Sequence, residues 1–461
     1  MLFNSYSFMF LFLPLTFAVF FLLGHIRAKK MATFWLVLAS FFFYGYWDIQ
    51  YVPLLFGSIT FNFLVGRHLE KNPGNKGYLL LGIVVNVVLL GYFKYTDFFL
   101  ETVNDLAGES LFDIPHIVLP LGISFFTFTQ TAYLVDAYRG ETRNESFLTY
   151  LEFVTIFPHL IAGPIINYRE MIPQFVADKT FQLNYKNISL GLSIFSFGLF
   201  KKVVLADTLA VWVNAVFNNT ESLSLVQAWI GALGYSLQLY FDFSGYSEMA
   251  IGLALLFNIK MPVNFNSPYQ ASNIIDFWRR WHMTLGLWVK NYLYIPMGGN
   301  RCGELKKMRN LFVSMLIIGL WHGAGWTFVI WGGMHGVLLM INHAWRKVGI
   351  SLPKTLSWAM TFFSVVICWV FFRAGNFSDA LVVLRSMMDI HSVINIDLNG
   401  SKRLVELMVI VLALTVIPNP LVVMKKFTPN NKWLVTISLL LLISLYRIAM
   451  AGTGEFLYFQ F

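Results

Sequence analysis

His322 stands twelve residues into a stretch, Asn310 to Asn342, that contains no Lys, Arg, Asp or Glu. A helix rising 1.5 Å per residue carries it about 18 Å from Asn310, near the middle of a hydrocarbon layer about 30 Å thick. An ionisable group at that depth is costly and marks a functional site by default. A neutral imidazole there can accept a hydroxyl proton as a general base. The bland reading is a histidine bonded to a neighbouring helix that serves packing alone. Trp321, Gly323 and Gly325 flank it and leave room beside the ring, which favours chemistry.

The most polar stretch of the chain comes just before, from Asp276 to Arg309. It holds Arg279, Arg280, Lys290, Arg301, Lys306, Lys307 and Arg309 against only Asp276 and Glu304. Its first half has helical spacing, with Phe277, Trp281, Leu285, Trp288 and Tyr292 on one face and Arg279, His282, Gly286 and Lys290 on the other. Two readings stand. The segment is an interfacial anchor that obeys the positive-inside rule, or Arg279, Arg280 and Lys290 meet the phosphates of a cytosolic donor such as an acyl-coenzyme A, which the planar arginine fork suits.

A third polar group, Tyr240, Asp242, Ser244, Tyr246 and Glu248, interrupts the apolar run from Leu223 to Phe257. A carboxylate inside a span needs a partner, and Arg279 or Arg280 is the expected partner of Asp242. Ser244 lacks the GxSxG setting of a hydrolase elbow. No phosphate-binding GxxxxGK[ST] loop, dinucleotide glycine pattern or HExxH helix is present. The two cysteines, Cys302 and Cys368, have no metal-ligand spacing, so no metal site is expected. Of the remaining histidines, His159 precedes a Gly163-Pro164 break and is a candidate for lining a cavity. His335 is expected nearer the outer face, beyond His322. His25, His68, His116, His343 and His391 fall at span edges or in loops.

The elements that must hold these groups are membrane helices. Of 461 residues, 57% are apolar and 12% charged, half the charge of an ordinary soluble domain at about 25%. Twelve apolar stretches recur, at about 7–24, 31–47, 51–66, 77–100, 115–135, 148–163, 188–217, 223–257, 310–343, 355–373, 404–417 and 433–451. Strands cannot satisfy their backbone in lipid unless closed into a barrel, so the spans are predicted to be helices. Without a repeat or a low-complexity linker, residues 1–461 read as a single domain. The run 310–342 would reach about 50 Å as one helix, so it must tilt, break or project. Its glycines offer places to bend or to let helices approach.

The net charge of +9 belongs mainly to short loops between spans and does not call for nucleic acid. Arg27, Lys29 and Lys30 place the first loop in the cytoplasm, and Arg67, Lys71 and Lys76 do the same for the third. The loop with Glu101, Asp105, Glu109 and Asp113 has no basic residue and is assigned outside, which turns the N-terminus outward. The loop at 136–147, with Arg139 and Arg143 among acids, gives no direction. Met1 to Gly24 reads as a first span rather than a signal peptide, having no basic residue before its apolar run.

These segments resemble the membrane-bound O-acyltransferases (MBOAT) of the bacterial alginate, peptidoglycan and cellulose O-acetylation type. The resemblance lies in Tyr240-Phe-Asp-Phe-Ser-Gly-Tyr-Ser-Glu, Asp276-Phe-Trp-Arg-Arg-Trp-His-Met, Tyr292-Leu-Tyr-Ile-Pro-Met-Gly-Gly-Asn-Arg and Leu320-Trp-His-Gly-Ala-Gly-Trp. Leu119-Pro-Leu-Gly-Ile-Ser, Tyr133-Leu-Val-Asp-Ala-Tyr-Arg-Gly, Pro158-His-Leu-Ile-Ala-Gly-Pro and the terminal Phe456-Leu-Tyr-Phe-Gln-Phe extend it along nearly the whole chain. The resemblance implies an all-α polytopic bundle with a central funnel or tunnel, about 11 spans and further re-entrant and interfacial helices. It implies that His322 is the essential histidine and that His282 is a second functional one beside the acyl path.

The expected function is therefore acyl, chiefly acetyl, transfer from a cytosolic thioester such as acetyl-CoA, used as a co-substrate with no bound cofactor. The acceptor is a hydroxyl or an extracytoplasmic partner protein that esterifies a polysaccharide, and the location is the bacterial inner membrane. Either general-base catalysis or an acyl-histidine fits. Competing readings are D-alanyl transfer from a carrier protein toward teichoic acid, a proton-coupled transporter using His322 and Asp242, and a scaffold for polymer export. A transporter would call for an inverted repeat and paired broken helices, and neither is evident.

Overall fold

The computed structural model describes residues 1–142, 145–394, 398–424 and 427–459. Arg143 and the last two residues of the terminal motif lie outside these. Among the described residues the regular structure is helical, without a strand. Seven helices among the described residues are long and apolar enough to cross a membrane: Phe8–His25, Ile49–Lys71, Lys76–Ala107, Tyr185–Phe217, Lys354–Arg373, Asn399–Val422 and Asn431–Ala451. The protein is a multi-pass membrane protein.

The chain packs as two compact units, each drawing on discontinuous stretches. The first comprises Met1–Leu199, Tyr246–Pro262 and Thr428–Phe459; the second includes Phe200–Gly245 and Val263–Phe427. In the first unit, Phe8 and Phe12 stack on each other, and both pack edge to face or tilted with Phe43 and Phe157, with centroids 5.4–6.0 Å apart. Polar side chains inside it pair with one another. Asn62, on the helix Val52–Lys71, and Asn86, on Lys76–Ala107, exchange amide hydrogen bonds of 3.2 and 2.6 Å, the kind of interhelical tie that apolar surroundings reward. Asparagine caps start several helices, Asn75 for Lys76–Ala107 here and Asn273 for Ile274–Trp278 in the second unit.

Some long apolar runs are broken. The run 115–135 becomes helical only at Ile123, after Pro120 and a left-handed Gly122. The run 148–163 splits into Phe147–Thr155 and the single turn Phe157–Leu160, with Pro158 at its start. Proline removes a backbone donor and restricts the residue before it, so neither run can be one helix.

In the second unit, Asn310 to Asn342 also breaks. Glu304–His322 ends at Gly323, and Trp326–Val348 begins after Gly325. The two helices form an antiparallel hairpin. A Cβ built on Gly319 would lie 3.1 Å from Cα of Gly332, and one on Gly336 would lie 3.1 Å from Cα of Phe312. At the open end Lys347 pairs with Glu304 at 2.9 Å. The hairpin corrects the expected position of His335. The chain reverses at Gly323–Gly325, so His335 lies back on the Glu304 side of His322, beside Gly336, rather than beyond it.

The amphipathic helix read through 277–292 is likewise not continuous. It consists of Ile274–Trp278, a turn at 279–282, Met283–Val289 and a wider π turn, Lys290–Tyr294. His282 takes a left-handed backbone, φ +43°, at the entry to Met283–Val289. A non-glycine residue holds that conformation at some cost, so surrounding contacts must impose it.

Candidate active site

His322 closes the helix Glu304–His322 and is buried, with 3% of its surface exposed. Three aromatic rings surround the imidazole at steep angles: Trp321 at 4.9 Å, Trp331 at 5.1 Å and Phe372 at 5.2 Å between centroids. Trp331 stacks in turn on Trp369 at 5.6 Å. The turn that releases the chain beyond His322 depends on Gly323, where any Cβ would enter the ring of Phe328.

His282 is the second imidazole of this group. Its ring centroid lies 6.5 Å from that of His322 and 6.1 Å from Trp321, and Phe243 meets it edge-on at 4.8 Å. It is fully buried, which corrects its placement on one helix face with Arg279 and Lys290. The left-handed backbone turns the side chain inward, where Asn264 holds it. Nδ1 of His282 is 3.0 Å from Oδ1 of Asn264, and the Thr284 backbone N–H and hydroxyl donate to that same oxygen at 3.3 and 2.9 Å. A backbone N–H can only donate, so the Asn264 atom must be its carbonyl oxygen. Nδ1 of His282 is then the protonated nitrogen, and in the neutral ring Nε2 is the basic one.

Two histidines from separate segments thus converge in one aromatic setting, with the basic nitrogen of one fixed. Residues 73–378, which include both, match the sequence model described as MBOAT, membrane-bound O-acyltransferase family. The chain is 49% identical over 426 residues to the peptidoglycan O-acetyltransferase of Helicobacter pylori, covering 85% of this chain and 81% of that protein. The chain belongs to the membrane-bound O-acyltransferase family. It is also 40% identical to the probable alginate O-acetylase of Pseudomonas aeruginosa, over 84% of this chain and 75% of that one. Identity to the teichoic acid D-alanyltransferase of Bacillus subtilis is 27%, over 66% of this chain and 78% of that protein.

Around the two histidines of this acyltransferase, the basic residues divide. Arg279 and Lys290 are exposed. Arg280 is half-buried, with Nε donating to the Asp276 carboxylate at 3.0 Å and Nη1 to the Asn266 carbonyl at 3.3 Å. Part of its hydrogen-bonding capacity therefore braces the turn. Asp242 does not take the expected arginine partner. It pairs at 2.7 Å with Lys202, which also meets Asp207 at 2.7 Å, and Lys202 and Asp242 are both buried. Arg280 is drawn to its own helix neighbour Asp276, while Lys202 lies inside an apolar segment and needs a carboxylate more.

Sequence reasoning passed over Lys202, Asn264 and the pair Trp278–His335. Lys201-Lys202 in the middle of the apolar run 188–217 was a readable signal, since buried charge requires a counter-charge. The chain winds there into a π turn, Lys201–Ala206. Asn264 carries no such signal, lying eighteen residues before the histidine it holds. His335 is buried, and its Nδ1 lies 3.3 Å from the Trp278 indole N–H. His159, in the other unit, is buried with Nδ1 3.1 Å from the Pro164 carbonyl.

Proposed function

We propose that this acyltransferase takes an acetyl group from a cytosolic thioester of the acetyl-CoA class and passes it to a hydroxyl on the far side of the membrane. The acceptor is a polysaccharide or a partner protein that acetylates one. The observation that carries this reading is His322, an imidazole buried in an aromatic setting 6.5 Å from a second imidazole whose basic nitrogen is fixed. Identity of 49% and 40% to relatives named for peptidoglycan and alginate O-acetylation favours acetyl over the D-alanyl group of the 27% relatives.

In this reading His322 is the general base. It removes the proton of the acceptor hydroxyl as the oxygen attacks the thioester carbonyl, and the thiolate of the donor leaves and is protonated. Positioned general bases contribute about 10²–10⁴ to a rate. Aromatic walls exclude water that would otherwise hydrolyse the thioester. His282 orients or relays the proton. Arg279, Lys290 and the remaining N–H groups of Arg280 bind the donor phosphates. That basic segment faces the cytoplasm of a bacterial inner membrane, and the N-terminus faces outward.

The test supplies purified protein in liposomes with labelled acetyl-CoA and a soluble muro- or chito-oligosaccharide, and follows release of free CoA and base-labile label. CoA release dependent on the protein, with acetyl ester on the sugar, supports the reading. Turnover only with a D-alanyl-charged carrier protein overturns it.

A further inference from the structure

We propose that His335 is a positioning residue that anchors the donor-binding basic turn to the histidine hairpin through its hydrogen bond with Trp278. The inference rests on the reading that Arg279 and Arg280 bind the phosphates of the donor.

An indole N–H can donate but not accept. The 3.3 Å contact between Trp278 Nε1 and His335 Nδ1 therefore makes Nδ1 the acceptor and puts the proton of the neutral ring on Nε2. Trp278 is the last residue of Ile274–Trp278, a helix of only five residues, and Arg279 and Arg280 follow at once. So short a helix has little stability of its own, so its side chains must fix its place. Phe277 packs at 5.7 Å on Trp281, and Trp278 meets His335 edge-on at 5.1 Å.

The opposite side of the link is closely packed. His335 adjoins Gly336, which packs on the backbone of Phe312. Its ring lies 4.9 Å from Trp331, the same indole that faces His322 at 5.1 Å. One imidazole thus ties the residue preceding the two arginines to the helix whose Trp331 walls His322. Arginines shifted by about 1 Å no longer meet the donor phosphates squarely, and each charge-assisted hydrogen bond lost weakens donor binding by about tenfold or more. That cost gives the tie a purpose beyond packing, which phenylalanine would serve equally well.

The experiment compares acetyl-CoA with S-acetyl-pantetheine, which has the same thioester arm without the nucleotide phosphates, on purified full-length protein. The wild type should prefer acetyl-CoA in kcat/KM. In H335F the preference should shrink about tenfold, the scale of one arginine–phosphate hydrogen bond lost when the turn is released, through a raised KM for acetyl-CoA. Turnover of S-acetyl-pantetheine should stay within about twofold, since the phenylalanine ring keeps the packing against Trp331. H335Q, whose side-chain carbonyl can accept from the indole, should restore most of the preference. W278F should reproduce the H335F effect, and the double variant should lose no more than either single one. A parallel fall for both donors, or a preference preserved in H335F and W278F, overturns the role of His335. A wild type with no preference for acetyl-CoA refutes phosphate binding by the basic turn and removes the premise. Should H335F fail to fold, H335Q and W278F carry the same comparison.

Discussion

His282 and Asn264 are joined by a 3.0 Å hydrogen bond that determines which imidazole nitrogen carries the proton. Because the Thr284 backbone N–H donates to the same Asn264 oxygen, the amide cannot turn over without leaving that N–H facing a donor. Replacing Asn264 with Leu leaves the Thr284 N–H, its hydroxyl and the His282 N–H to seek new acceptors in a buried site, at about 1–3 kcal/mol for each group left unsatisfied. N264L is expected to lower the thermal midpoint in detergent and to reduce kcat more than it raises donor KM. N264D, which keeps the acceptor, should retain more activity than N264L. Equal kcat in N264L and wild type would contradict a role for the His282 orientation.

The Lys202–Asp242 pair leads to a different expectation. Removing one member of a buried pair typically costs about 3–5 kcal/mol, whereas replacing both with apolar residues of similar size is often neutral. K202M should therefore sharply lower the yield of folded protein, while K202M/D242L should recover much of it. D242N should be milder than K202M, since Asp207 still meets the ammonium. Fluorescence size-exclusion profiles of the variants would test the order.

The crossing of the hairpin depends on bare backbone at Gly319 and Gly332. A Cβ on Gly332 would lie 3.2 Å from Cα of Gly319 and overlap the Met315 carbonyl. One on Gly333 meets only side-chain atoms at ordinary contact distance, Leu316 at 3.6 Å and Phe312 at 4.0 Å. G332A should move the helices apart, shift His322 and cost about 1–3 kcal/mol as overpacking does. G333A should be silent in both melting temperature and activity, and equal behaviour of the two would argue against the close crossing.

At the open end of the hairpin, the hydrogen bond from Lys347 holds the Glu304 carboxyl below the usual carboxylate range. A depressed acid contributes stability above its unfolded pKa and loses it as pH falls through the lower folded value. Any coupling seen in an E304Q/K347M cycle should therefore be present at neutral pH, vanish in strong acid and weaken with added salt. A coupling that persists unchanged at low pH would contradict the pairing.

Much of this arrangement was legible in the sequence, and the rest was hidden for identifiable reasons. The missing charge in 310–342 exposed His322 as an interior imidazole, and the excess length of that run left tilt, projection or a break, of which the chain takes the break, at Gly323–Gly325. The sequence did not show that the break reverses the chain, because a glycine pair permits a bend without choosing its direction. His335 was misplaced for that reason. The burial of His282 was hidden by its helical spacing, since one left-handed residue resets the face of everything after it. Asp242 was rightly read as needing a cation. The choice between arginine and Lys202 turned on tertiary packing, which spacing does not encode. Asn62 and Asn86 are ordinary polar residues in their spans, and their mutual satisfaction required both helices to be in place.

The central claim is that His322 removes a proton from the acceptor hydroxyl. The direct measurement is the rate of acetyl ester formation by H322A and H322Q, each shown to be folded and inserted by its elution profile and thermal midpoint, with wild-type protein alongside. A fall of about 10²–10⁴-fold in kcat with donor KM little changed is predicted. Ester formation at the wild-type rate by folded H322A would contradict it.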